Sequence, residues 1–324
     1  MRNSIERNRK RVIAAVSYIK IVVLLLFAAA DAAEAQSGRL ERLGNRPENT
    51  WSLELRGNSE FMFDTDIDGD GKFDLLRFGL SQDTTLIPDE KWRFTLGTSY
   101  SMNKFDFSGT GGIGSLDPWD NINVLNLSLR INYAFNDKWG VFAIPLLGFS
   151  GESGARFGDS LTGGGIAGFS YSIGRKLIIA FGGLVRSRIE DDVIGFPIAY
   201  LRWEITERLT LSTLASGVRT EIGPEVGINY DLGGGFSAGL SGGYEFSRFR
   251  LDSDGPFPGG VGDVKGMPIW GRISYETNSG VTFNGYGGYI LIGSLELENS
   301  NGRRIEKDDF DPAPFIGGGI SLKL

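Results

Sequence analysis

Residues 63–74 read FDTDIDGDGKFD, placing Asp64, Asp66, Asp68 and Asp70 at alternate positions with Gly69 and Gly71 among them. Carboxylates spaced this way are the oxygen ligands that a hard divalent cation takes, and glycine lets a short loop curl around such an ion. Two other acidic runs, Glu190-Asp191-Asp192 and Asp308-Asp309 with Asp311, hold carboxylate pairs of the kind used in acid–base chemistry. The rest of the catalytic repertoire is thin. The chain has no histidine and no cysteine, so imidazole bases and thiolate nucleophiles are absent, and with them the usual ways of activating serine. The GxG and GGG strings follow apolar alternation but open no helix, so phosphate-cradle motifs do not apply. The residues predict a protein that is not an enzyme.

Aligned as a calcium loop, Asp66, Asp68 and Asp70 take positions 1, 3 and 5, Gly71 the sharp turn at 6, the Lys72 carbonyl position 7 and Asp74 position 9. Position 12 is Arg77, where an EF-hand needs a bidentate glutamate, and no helix pattern flanks the run. The stretch resembles the shorter DxDxDGxxD calcium loops instead. Two readings stay open: calcium held by Asp66, Asp68, Asp70 and Asp74, or an acidic, solvated loop tip. No other cofactor is expected.

The elements that carry these residues read as strands. Glycine accounts for 48 of 324 residues, roughly twice ordinary usage, and it punctuates nearly every apolar stretch, which disfavours helix. In residues 123–135, NVLNLSLRINYAF, Leu125, Leu127, Leu129, Ile131, Tyr133 and Phe135 fall on one face while Asn126, Ser128, Arg130 and Asn132 fall on the other. WRFTLGTSYSM and WSLELRGNSEF repeat the pattern. Strands are expected near 51–63, 73–82, 91–106, 121–135, 138–150, 161–173, 176–188, 194–205, 208–217, 221–231, 235–249, 266–277, 280–293 and 313–324. That makes about fourteen, with twelve or sixteen as alternatives. Pro145 and Pro224 should mark bulges or strand ends, because proline removes a ladder donor. Residues 176–184, KLIIAFGGL, are apolar on both faces, so either the interior is packed there or the phase is wrong.

Short turns at Asn136-Asp137, Gly174-Arg175, Thr206-Glu207, Leu232-Gly233-Gly234 and Asn278-Ser279 interleave with long links at 107–120, 151–160, 250–265 and 294–312. A soluble sandwich has no reason for that alternation. A transmembrane barrel has one, with short turns facing the periplasm and long loops facing out. Trp92, Tyr133, Phe135, Trp139, Tyr171, Trp203, Tyr230, Phe236, Tyr275 and Phe283 all lie near the short-turn end, as an interfacial girdle would. The fold class is therefore all-β, a closed antiparallel transmembrane barrel, since lipid tolerates no open sheet edge.

The first 35 residues have the proportions of a cleaved signal peptide. A basic stretch precedes the ten-residue apolar run Ile21–Ala30 and the site Ala33-Glu34-Ala35, whereas a spanning helix would need about 20 apolar residues. The expected organisation is a leader at 1–35, a periplasmic segment at 36–50 and a barrel at 51–324. Removing six basic and three acidic side chains with the leader shifts the net charge from −7 to −10, which argues against nucleic acid as a partner.

The chain ends in GISLKL, with Gly319, Leu322 and the terminal Leu324. This resembles the C-terminal assembly signal of Gram-negative outer-membrane β-barrels, although Leu324 stands where the family most often has phenylalanine and Gly318 where a polar residue usually precedes the glycine. The whole mature chain resembles a Gly-rich single-chain barrel of that class. The resemblance implies the bacterial outer membrane as location, and outer-membrane lipid and the barrel-assembly machinery as partners. Under the barrel phase, Glu54, Arg56, Arg93, Arg130, Arg202, Glu225, Glu245 and Arg272 point into the lumen as its lining candidates; with Glu60, Arg77, Glu204, Glu221 and Glu276 also inward, the signs are nearly balanced. The expected function is a passive channel for small solutes, narrowed by loop 250–265 or 294–312 folding inward. The alternative is a closed barrel acting as a scaffold or surface-binding protein through its external loops.

Overall fold

A computed structural model describes residues 50–213 and 222–324. The expected leader, the segment up to residue 49 and Glu221, an inward candidate at the start of the tenth strand, lie outside the described residues. The strands are β1 (Thr50–Ile67), β2 (Gly71–Ile87), β3 (Trp92–Gly109), β4 (Asn121–Ala134), β5 (Trp139–Glu152), β6 (Leu161–Ile173), β7 (Leu177–Arg188), β8 (Asp191–Glu204), β9 (Leu209–Ser212), β10 (Ile222–Gly233), β11 (Phe236–Arg250), β12 (Val261–Glu276), β13 (Val281–Glu298), β14 (Arg304–Phe310) and β15 (Ala313–Lys323). One helical turn, α1 (Gly112–Leu116), lies between β3 and β4.

β1 to β13 pair antiparallel in sequence order, β11 and β5 also meet in parallel at Arg250↔Gly151, and the sheet closes where β1 meets β15, from Glu54↔Lys323 to Met62↔Phe315. β13 pairs with β15 along Val281–Ile290 and with β14 along Gly293–Glu298. β14 and β15 are thus two parts of one wall strand, interrupted at Asp311-Pro312, and the barrel has fourteen staves.

The wall explains the alternation in the sequence. Leu125, Leu127 and Leu129 of β4, Leu76, Phe78 and Leu80 of β2, and Ile316 and Ile320 of β15 are exposed on the outside. Apolar side chains at alternate positions around a closed sheet make a surface that water would not tolerate and lipid would. At the short-turn end, tilted ring pairs meet across neighbouring strands: Trp92 with Tyr133 at 4.7 Å, Trp139 with Tyr171 at 4.5 Å and Phe236 with Tyr275 at 4.6 Å between centroids. These rings form the interfacial girdle. The turns there are locally encoded; Asn136 Oδ1, for example, accepts the amides of Lys138 and Trp139 at 2.9 and 3.0 Å.

Three expectations need correction. Residues 294–312 are not a long loop, because β13 continues to Glu298 and β14 returns from Arg304, leaving a tight turn in which the Asn299 amide donates to the Arg303 carbonyl at 2.9 Å. Residues 250–265 shrink likewise, as β12 begins at Val261. Pro145 sits in a strand of unchanged register: the β4–β5 ladder is merely interrupted between Ser128↔Leu146 and Ile131↔Ala143, where the missing amide falls. Pro224 does mark a register shift, between Ile222 and Glu225.

Candidate functional site: a lumen with unequal halves

The inner face of the wall changes character along its length. Nearest the short turns it is charged and solvated. Arg56 reaches Glu54 at 2.9 Å and Ser81 Oγ at 3.1 Å and is paired with Asp83, while Arg130 approaches the same Asp83 at 3.3 Å. Arg202 lies 3.4 Å from Glu204 across the vestibule wall, and Arg93 stands on the inner face of β3. The paired side chains keep 24–39% of their surface in water, apart from Asp83 at 12%. Pairs this exposed contribute little to stability; they line a polar path instead.

Midway, the charges become buried. Arg77 of β2 pairs with Glu60 of β1 at 3.1 Å and, across the lumen, with Glu245 of β11; both carboxylates are at most 3% exposed. Glu225 of β10 is also buried, and Arg272 of β12 donates to Asn229 Oδ1 at 2.9 Å. All eight lining candidates stand on the inner face, but in two environments: Glu225 and Glu245 at a constriction, and Glu54, Arg56, Arg93, Arg130 and Arg202 below it, with Arg272 between.

Toward the external mouth, the lumen is filled by a hydrophobic core. Phe73, Phe105, Phe107, Phe249, Phe310 and Trp119 pack with ring centroids 5.1 to 6.4 Å apart, surrounded by Met62, Leu75, Ile122, Leu295 and Leu297. Ile113 and Trp119 belong to the link between β3 and β4, which folds inward. The narrowing segment is therefore residues 110–120, and residues 251–260 join it through Leu251 and Phe257. Two carboxylates fix these links. Asp308 accepts the Ile113 amide at 2.6 Å, and Glu152 accepts the amides of Asp120 and Asp252 at 3.0 and 2.9 Å.

The aspartate run is part of this cap. Asp68-Gly69-Asp70 is the tip of the β1–β2 hairpin, with Gly69 and Asp70 at φ 89° and 66°. Asp66 pairs with Lys72 at 3.2 Å, and Asp74 lies on the outside opposite Asp106. A methyl on Gly71 would sit 3.0 Å from Gly114 Cα, so glycine here admits α1 against the hairpin. Among the described residues, no group of three or more acidic side chains is arranged to hold a metal ion.

One stretch of wall has an apolar inner face. Phe142 and Ile144 of β5, Ile178 and Ala180 of β7, and Ile198 and Tyr200 of β8 are buried together, with Leu146, Ile166 and Leu184 partly exposed beside them. This explains KLIIAFGGL: Ile178, Ala180 and Leu184 face in while Phe181 and Val185 face out. Period two continues to Arg186, an inward residue that the doubly apolar stretch hides in the sequence. At the closing seam, Gly319 pairs with Asn58 and Asn284, Leu322 with Leu55 and Val281, and the Leu324 amide donates to the Leu53 carbonyl at 2.8 Å.

No protein-family model matches this sequence, and no curated protein does. Among solved structures, an outer membrane channel from Pseudomonas putida F1 aligns over 87% of this chain and 98% of its own, at 8% identity and a TM-score of 0.47. A deletion mutant of the TodX monoaromatic hydrocarbon channel aligns over 86% and 91%, at 10% identity and 0.46. A Pseudomonas aeruginosa FadL homologue aligns over 84% and 90%, at 9% identity and 0.44.

Proposed function

We propose that this protein is an outer-membrane channel for passive diffusion of small solutes, whose closure at the external end an inserted link completes. The observation that carries the reading is the division of labour inside the barrel. Wall strands supply most of the plug's side chains, and residues 110–120, which are no part of the wall, add Ile113 and Trp119 to it. Below it lies a polar vestibule of both signs, which in a water-filled passage gives weak ion selectivity. The reading is non-catalytic, and it places the chain among proteins exported by a cleaved leader and inserted by the barrel-assembly machinery.

A second reading has its own observation in favour. Arg77 bound to Glu245 across the lumen is a buried ion pair, and a permanently closed barrel displaying its external loops would keep such a pair intact. Planar-bilayer recordings separate the two. The channel reading expects discrete conductance steps whose reversal potential moves toward anions when Glu245 is changed to Gln and toward cations when Arg130 is changed to Gln. Silent bilayers after confirmed insertion, for the wild type and both variants, favour the scaffold.

A further inference from the structure

The lumen's arginines mostly stand beside carboxylates: Arg56 with Glu54 and Asp83, Arg77 with Glu60 and Glu245, Arg130 with Asp83, Arg202 with Glu204. Arg186 of β7 differs. Its one side-chain partner is the Thr162 hydroxyl, which accepts from Nη2 at 3.1 Å, and no carboxylate of the described residues lies within ion-pair distance of it. A guanidinium offers five donors in a planar fork, so four remain for water or a ligand.

The surroundings are shaped around that fork. A methyl on Gly148 of β5 would lie 2.9 Å from Arg186 Nη2, 2.9 Å from Thr162 Oγ1 and 3.2 Å from Asn126 Oδ1. The guanidinium, a hydroxyl and a carboxamide therefore converge over a bare stretch of backbone on β4, β5 and β6. Directly toward the periplasm, the register places Leu146 and Gly164 in the row of Arg186, and Ile144, Ile166 and Leu184 in the next row. Leu146, Ile166 and Leu184 are the members of the apolar wall that keep exposed surface. A cation with no counter-charge among the described residues thus stands at the external edge of an accessible aliphatic face.

We propose that Arg186, with Thr162 and Asn126 beside it, Leu146 level with it and Ile166 and Leu184 below it, binds a small organic monoanion that has an apolar body. The carboxylate takes the guanidinium fork, in the paired geometry that favours arginine over lysine, and the body covers the aliphatic wall. A hydrophilic neutral solute gains nothing from either part, and a bare inorganic anion uses only the first. As the solute class of the channel, this rests on the channel reading above; as a binding site, it does not.

Isothermal titration of the full-length protein folded in detergent tests it, with benzoate, benzyl alcohol and acetate as probes. Benzoate should bind saturably and at least about tenfold more tightly than either partial probe, and Arg186→Met should weaken benzoate by about tenfold or more, as losing a charged hydrogen-bonding partner does. Arg186→Lys should recover part of the loss. Arg175→Met, in a periplasmic turn, should change nothing. If Arg186→Met fails to give the heat-modifiable band of a folded barrel, Gly148→Ala replaces it: the added methyl displaces the fork without removing the charge, and benzoate should again weaken. Equal benzoate affinity in wild type and the folded variant, or benzyl alcohol binding as tightly as benzoate, overturns the site. In bilayers, benzoate binding without any conductance keeps the site and rejects the channel, whereas conductance that benzoate leaves unchanged in an Arg186-independent way rejects the solute class.

Discussion

Along the inner face of β2 the two halves of the lumen can be compared on a single strand. From the external end it presents Phe73 and Leu75, each 1% exposed, then Arg77 in its buried pairs, then Gly79, Ser81, Asp83 and Thr85. The outer face of the same strand is apolar at Leu76, Phe78 and Leu80, on both sides of the level of Arg77. The backbone and its hydrogen bonding are alike in both halves, so what closes one and opens the other is content. Each large side chain buried at the external end is worth roughly 2–3 kcal/mol of transfer free energy, while each exposed pair at the periplasmic end is worth about 0–1 kcal/mol. Stability is concentrated where the lumen is shut, and the charged vestibule is left to electrostatics.

The sharpest way to break that contrast is Trp119→Ala. Trp119 is 2% exposed and its ring contacts Phe105, Phe107 and Phe249, so truncation should cost about 3–5 kcal/mol, read from the urea midpoint of the heat-modifiable band. A midpoint unchanged from wild type would mean the external half is no core. Next in size is Glu245→Ala at the boundary. Glu60 still faces Arg77 there, so a loss of about 2 kcal/mol is expected rather than the full cost of an orphaned charge. Arg56→Ala, in the vestibule, should change stability by under about 1 kcal/mol yet move the reversal potential toward cations, because Glu54 and Asp83 remain. A large stability loss with no change in selectivity would invert the comparison.

Much of the wall was legible in the sequence because lipid on one side and polar lumen on the other impose strict alternation, as Leu125 to Tyr133 show. Legibility failed where that contrast disappears. At Gly293 the register slips, Leu291 and Ile292 both turn outward, and Leu295 and Leu297 resume inward in a new phase, so strand residues between Ser294 and Phe310 pass for a polar loop. Arg186 is hidden because its strand is apolar on both faces. The inward fold of residues 110–120 had one signal, Trp119 in a link rich in glycine and aspartate, since an indole in such a segment needs something to pack against. The aspartates of the calcium-like spacing are spread along a hairpin: Asp66 and Asp74 lie on the outer faces of β1 and β2, Asp68 and Asp70 sit in the turn between them, and the glycines serve that turn and the approach of α1.

The central claim is that the inserted link completes the closure that side chains of the wall begin. Its most direct test is single-channel conductance of the protein with residues 111–117 replaced by a short Gly-Ser bridge, compared with wild type in the same bilayers. The account predicts larger and more frequently open steps in the variant, with ion selectivity still set by the vestibule charges. Unaltered conductance in a variant that inserts and shows the heat-modifiable band would contradict it.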